Sequence, residues 1–169
     1  MIEKVCNIWD KYDYGETVCI TTNGFVTSKG FAVMGRGVAA QAVKRFPTIK
    51  GKLGQLIMHN GNIVQRLAPR IISFPVKPQI GICGNGGTNI VRHVRHQYQE
   101  YDWVPGWAMI ADIKLIEGSL EQLNQLRDVK GFEEIYLPKP GCGAGGLDWK
   151  DGTPYCEKYG DWLVVCDLT

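Results

Sequence analysis

The chain has 169 residues and a mass of 18.8 kDa, which suits one domain with a real core and leaves little room for two. At 44% hydrophobic and 21% charged residues it is an ordinary globular composition, excluding disorder, collagen and coiled coil. The formal net charge is only +2, yet the 83 residues from Thr17 to Gln99 contain no Asp or Glu and 11 Lys and Arg. Such a window points to an anionic ligand (phosphate, nucleotide or nucleic acid), the plain alternative being basic residues spread over several solvated faces.

Short β-branched runs alternate with helical patterns, which predicts an α/β fold. Strands are expected at 2–8, 17–22, 62–67, 71–76, 107–111, 134–138 and 162–167. One helix should start after Gly35-Arg36-Gly37 and run to Phe46. Val38, Ala42, Val43 and Phe46 share a face there, and Pro47 stops it. The clearest helix spans about 112–127, with Ile113, Ile116, Leu120 and Leu123 on one side and Asp112 as its cap. A third, poorer helix is expected after Asp148, although Gly152 and Pro154 should break it early. No repeat or linker interrupts the chain, so residues 1–169 read as one domain.

The six cysteines (Cys6, Cys19, Cys83, Cys142, Cys156, Cys166) form no C-x-x-C pair and no zinc-ligand spacing. They read as small buried hydrophobes in a reducing compartment, and a cytoplasmic protein is expected. No apolar run approaches the roughly 18–20 residues of a membrane span. Met1-Ile2-Glu3-Lys4 does not open like a secretory signal, so no membrane association is expected.

Residues 78–105 form a long connection that opens with a glycine-rich run and continues Val91-Arg92-His93-Val94-Arg95-His96. A connection of this length inside a compact domain is usually functional or mobile. The Arg/His strip is either a solvated helix face or a contact for substrate phosphates. Cys83, His93 and His96 match no metal spacing, and neither metal nor cofactor is expected.

Two glycine-dense loops each follow an expected strand: Gly30 to Ala39, and Pro140 to Trp149. Glycine lets a phosphate approach the backbone, and a following helix offers free N–H groups and its dipole. Each loop alone could be a tight turn; two on one domain could cradle a pyrophosphate. Residues 141–146 also satisfy G-x-G-x-x-G, but the motif lies near the end of the chain with little sheet to follow, against a dinucleotide fold. Gly30-x4-Gly35 continues with Arg36-Gly37 rather than Lys-Ser/Thr, so it is not a Walker A loop.

Taken together, these segments resemble the macro domain family, which binds ADP-ribose. The resemblance rests on Val18-Cys-Ile-Thr-Thr-Asn23, on Val33 to Ala39 leading to Lys44-Arg45-Phe46-Pro47, and on Leu137 to Trp149. It covers nearly the whole chain and implies a three-layer α/β/α fold around a mixed, mostly parallel central sheet. Within the family the chain is most similar to the branch of terminal ADP-ribose glycohydrolases and DNA-directed antitoxin hydrolases. There a strand ending Phe-Pro-x-Lys supplies a lysine near the distal ribose, and Ser73-Phe74-Pro75-Val76-Lys77 fits.

The resemblance implies that Asn23 contacts the distal ribose and that Gly35, Arg36, Gly37 and Val38 cradle one phosphate. Gly143, Ala144, Gly145, Gly146 and Leu147 would take the other phosphate and the distal ribose. Met34, Gly141 and Cys142 complete the two loops. Asn7, followed by Ile8, stands where many members carry an Asp that accepts the adenine amino hydrogen. Lys77 is the expected nucleophile on an ADP-ribosyl link to DNA or protein, provided that burial or nearby cations depress its pKa. The protein-directed lysine enzymes place an Asp in the second loop, where this chain has Gly145; Asp148 reads instead as a helix cap. The implied partner is ADP-ribose or an ADP-ribosylated macromolecule, with residues 92–96 available to a nucleic acid and the protein acting as a monomer. A non-catalytic ADP-ribose reader, a phosphatase acting on ADP-ribose 1″-phosphate, and a nucleic-acid module without ADP-ribose recognition are the alternatives.

Overall fold

The computed structural model describes residues 1–168. In chain order the elements are β1 (Ile2–Val5), α1 (Ile8–Asp13), β2 (Thr17–Asn23), α2 (Gly37–Arg45), α3 (Ile49–Asn60), β3 (Gln65–Ala68) and β4 (Ile71–Lys77). There follow β5 (Ile80–Ile82), β6 (Trp103–Pro105), α4 (Ile113–Lys130), β7 (Ile135–Pro138), α5 (Trp149–Cys156) and β8 (Leu163–Asp167). Six strands form one sheet in the order β1-β8-β7-β2-β4-β3. All neighbours run parallel except β3 against β4, so the sheet is mixed and mostly parallel.

Alternation along the strands builds two cores, one on each face of the sheet. Val18, Ile20, Tyr136, Val164 and Cys166 face one core, which α1, α2 and α3 cover with Ile8, Trp9, Val38, Ala42, Leu53 and Ile57. Cys19, Ile72, Phe74, Ile135, Leu137 and Val165 face the other, covered by Ile116, Leu120 and Leu123 of α4 and Cys156 of α5. The result is the expected α/β/α sandwich. Asp112 caps α4 by accepting from the Lys114 N–H at 2.8 Å, and Gly131 ends that helix in the left-handed region. Among the described residues, no helix is long and apolar enough to cross a membrane.

Several expectations are corrected. The run 2–8 is not one strand: Asn7 caps a helix, its Oδ1 accepting from the Trp9 N–H, so the chain turns at Cys6. Both α1 and α3 were missing from the sequence reading. α3 carries Gly51 and Gly54 in its interior, which weakens the helical pattern, but packing of Ile49, Leu53 and Ile57 overrides that propensity. Residues 107–111 are not a strand. Trp107 lies in a short 3₁₀ turn, and Met109 makes only an isolated bridge to Ile90. α5 continues to Cys156 through Gly152 and Pro154, anchored by its Asp148 cap.

The cysteine reading is corrected too. The parallel register of β1 on β8 places Cys6 beside the end of β8, where its N–H donates to the Asp167 carbonyl. Cys6 and Cys166, 5.6 Å apart at Cα, are joined as a disulfide, while Cys19, Cys83, Cys142 and Cys156 remain thiols. The segment 78–105 is a folded unit rather than a loose loop. β5 and β6 pair as an antiparallel ribbon, and Cys83, Ile90, Val91, Val94, Val104 and Ala108 form a small core of their own.

Candidate functional site

The strands of a parallel sheet present their carboxyl ends along one edge, where open α/β folds place their ligands. Asn23 ends β2, Lys77 ends β4, Pro138 ends β7 and Asp167 ends β8. All four line a cavity of about 610 Å³, within the range of small-molecule sites. A register shift between Thr22 and Asn23 sets Asn23 directly beside Lys77. The Asn23 amide then ties the site together, its Nδ2 donating to Val33 O at 2.8 Å and its Oδ1 accepting from Phe25 N at 2.9 Å.

The first glycine loop forms one wall with Met34, Gly35, Arg36, Gly37 and Val38. It runs straight into α2, whose cap residue Arg36 makes no side-chain capping bond. The first N–H groups of α2 therefore keep their donors, and the positive end of the helix faces the cavity at Gly37, Val38 and Ala39. The second loop forms the opposite wall with Gly141, Cys142, Gly143, Ala144 and Gly145. Gly146 lines a neighbouring cavity instead, and Leu147 closes the loop by donating its N–H to Gly141 O at 2.9 Å. Among the described residues, Asn7 and Ile8 stand outside the cavity wall.

Lys77 is 7% exposed, and its Nζ donates to Trp107 O and Ala144 O, both at 3.0 Å. Neither acceptor is a carboxylate, so nothing there neutralises an ammonium. Burial first, and the Arg36 guanidinium second, bring its pKa from 10.5 down to about 8. A neutral amine has two hydrogens, and these two carbonyls account for both. Its lone pair is then left in the remaining tetrahedral direction. In its neutral form the amine is held in place by the backbone.

The sequence reading did not place Trp107, Lys139, Cys166, Asp167 or Leu168 at this cavity, whereas His93 belongs to the Arg/His strip read either as a solvated face or as a phosphate contact. Asp167 and its neighbours were findable, since they end the strand expected at 162–167. Trp107 was hidden by the mistaken strand at 107–111. Asp167 is paired with Lys139, whose Nζ lies 2.9 Å from Asp167 Oδ2 and 2.7 Å from Glu3 Oε1. A second, more open cavity of about 850 Å³ adjoins the first and shares Arg36, Gly37, His93, Gly143 and Ala144 with it. Arg92 and Arg95 line its outer part, and no Asp or Glu does. Among the described residues, no cluster of His, Cys, Asp or Glu is arranged to hold a metal ion.

No family model and no curated protein matches the sequence. Solved structures do match. The macrodomain of Thermus aquaticus DarG is 20% identical with a TM-score of 0.66, over 98% of this chain and 97% of that one. The macrodomain of Mycobacterium tuberculosis DarG is 19% identical with a TM-score of 0.58, over 90% of this chain and 88% of that one. Thermosipho africanus DarTG in complex with ADP-ribose is 18% identical with a TM-score of 0.59, over 91% of this chain. The present chain spans only 38% of the length of that DarTG chain. With its sheet order, its two-sided helical cover and these likenesses, the protein has the macrodomain fold.

Proposed function

We propose that the protein binds ADP-ribose in the 610 Å³ cavity and hydrolyses an ADP-ribosyl link through Lys77. The observation that carries this reading is the Lys77 amine. It is buried, held by two backbone carbonyls, beside Asn23, with a pKa brought down to about 8. The likeness to a DarTG structure that holds ADP-ribose supports the choice of ligand. Across β8, β7, β2 and β4 the cavity spans three strand steps, about 14 Å, which suits an extended dinucleotide-like ligand. The distal ribose lies at the β4 end, near Asn23 and Lys77, and the adenine at the β8 end. The pyrophosphate lies between the N-terminus of α2 and the second loop.

Asn7 and Ile8 stand outside the cavity wall, Asn7 Oδ1 caps α1 and the Ile8 side chain is wholly buried, so neither is assigned a contact to the adenine. The carrier lies towards the second cavity, where Arg92 and Arg95 suit the phosphates of a DNA strand. The protein acts as a monomer in the cytoplasm; four cysteines stay thiols, which suits a reducing medium, while the Cys6–Cys166 disulfide stands against it.

The test is hydrolysis of an ADP-ribosylated oligonucleotide and an ADP-ribosylated protein by wild type and Lys77→Met. Release of ADP-ribose by wild type and not by Lys77→Met supports the reading; equal release by both overturns it. Gly145, standing where a loop carboxylate would serve proton transfer, favours a second reading as a non-catalytic ADP-ribose reader. In that case wild type binds ADP-ribose and releases nothing. Release of phosphate from ADP-ribose 1″-phosphate would instead mark a phosphatase.

A further inference from the structure

Hydrolysis through Lys77 needs a proton carrier. The amine acquires a surplus proton when it attacks, and the departing carrier needs one. The wall of the cavity holds few candidates. The Arg36 guanidinium offers donors and no acceptor. Asp167 and Lys139 pair with each other at the far end, Asp167 three strand steps from Lys77 and Lys139 two. Burial pushes the Cys142 thiol up, away from ready ionisation. His93 is left. It is exposed, and it is the only histidine that lines both cavities among the described residues. It comes from the same folded segment that leads to Trp107, the carbonyl partner of Lys77.

We propose that His93 is a second catalytic residue of this site, the acid–base partner of Lys77, placed at the junction where ADP-ribose ends and its carrier begins. The inference rests on the hydrolytic reading above. Partial desolvation, then Arg36, then Lys77 hold its ring below the ordinary histidine value, so it is neutral at pH 7 and able to accept. The charged groups that face it are Arg36 from the start of α2, Lys77 from β4, and Arg92 and Arg95 from its own segment. No carboxylate lines either cavity near it.

In the first half of the reaction the Lys77 nitrogen bonds the anomeric carbon as the bond to the carrier breaks. The electron pair leaves on the carrier atom. His93 removes the surplus proton from the nitrogen and passes it to the carrier, which departs neutral. In the second half water bonds the anomeric carbon, and His93 takes its proton. That proton returns to the Lys77 nitrogen as the carbon–nitrogen bond breaks. The sum consumes one water and gives ADP-ribose and the protonated carrier, with both side chains restored.

The experiment compares wild type, His93→Ala and His93→Gln on an ADP-ribosylated oligonucleotide and an ADP-ribosylated protein in parallel, from pH 5 to 9, with ADP-ribose binding by calorimetry. Both variants should lose about 100-fold in kcat, with binding little changed, as expected for loss of a general acid–base group. The further fall in activity below the ordinary histidine range should disappear while the rise set by Lys77 between pH 7 and 9 stays, and added imidazole should partly restore His93→Ala. An active wild type with equally active variants and an unchanged profile overturns the inference alone. A loss confined to KM also overturns it, marking His93 as a binding group. A wild type that binds ADP-ribose but hydrolyses neither substrate overturns the hydrolytic reading, and this inference with it.

Discussion

The two glycine loops face each other across the cleft but use glycine for different reasons. In the first, a Cβ built on Gly35 or Gly37 would meet nothing within 4 Å. Gly37 has φ +55, which favours glycine, whereas Gly35 lies outside the left-handed region. Nothing inside the protein requires glycine at 35. In the second loop a Cβ on Gly141 would lie 2.7 Å from Leu147, 2.9 Å from Ile116 and 3.0 Å from Ala111. That glycine is needed by the fold. Gly143 resembles the first loop, open on every side, although its φ of +62 still favours glycine. The difference separates positions that serve packing from positions kept clear for a ligand. It also divides the charge: the first loop has Arg36 and a helix N-terminus, while the second has only backbone donors and the carbonyl that holds Lys77.

The largest expected effect falls on chemistry. Lys77→Met should lower hydrolysis by about 1,000-fold, as for loss of a nucleophile, while ADP-ribose affinity changes little. Loss of both together would mean that Lys77 is a binding group. Next comes Gly143→Glu, which sets a carboxylate in open space against the phosphates. It should cost roughly 100-fold or more in affinity without unfolding the chain. Circular dichroism and titration on one sample separate the two, and retained affinity would place the ligand elsewhere.

Gly141→Ala should do the opposite. The close contacts and the φ of +79 predict a loss of about 1–3 kcal/mol in denaturant unfolding. Gly35→Ala should leave that stability within about 0.5 kcal/mol and weaken ADP-ribose binding severalfold. If Gly35→Ala destabilises the fold as much as Gly141→Ala, the contrast between the loops fails.

The last effect concerns pH. Lys77 reacts as the neutral amine, and its pKa is near 8, so activity should rise about tenfold between pH 7 and 9. Arg36→Gln removes the second cause of the depression and should move that rise to higher pH. Stability carries the same sign. A lysine with a depressed folded pKa costs the fold most below about 8, and the cost fades as pH climbs towards its ordinary 10.5. Lys77→Met should therefore be at least as stable as wild type at pH 7, with the gap closing between pH 8 and 10.5. A gap that widens instead would contradict the depressed pKa.

Much of this cleft was legible in the sequence because strand–glycine–helix transitions are local. Val18 to Asn23, Gly35 to Val38 and Gly141 to Gly145 each announce their element and bring it to the strand ends. Lys77 was readable as the last residue of an apolar strand. What stayed hidden depended on distant partners. The two carbonyls on Lys77 come from residues 30 and 67 positions away. The Cys6–Cys166 disulfide spans 160 positions, and only the parallel register of β1 and β8 brings those cysteines together. The acid-free window marked one wall of the site and missed the other, since backbone N–H groups carry no formal charge. α3 was missed because its two internal glycines weaken propensity, and burial against the sheet decided the outcome.

Calorimetric titration of the wild-type protein with ADP-ribose, AMP and NAD tests the central claim most directly. The account predicts one ADP-ribose per chain, bound at least about tenfold more tightly than AMP or NAD, a difference of about 1.4 kcal/mol. No binding of ADP-ribose, or equal binding of all three, would contradict it.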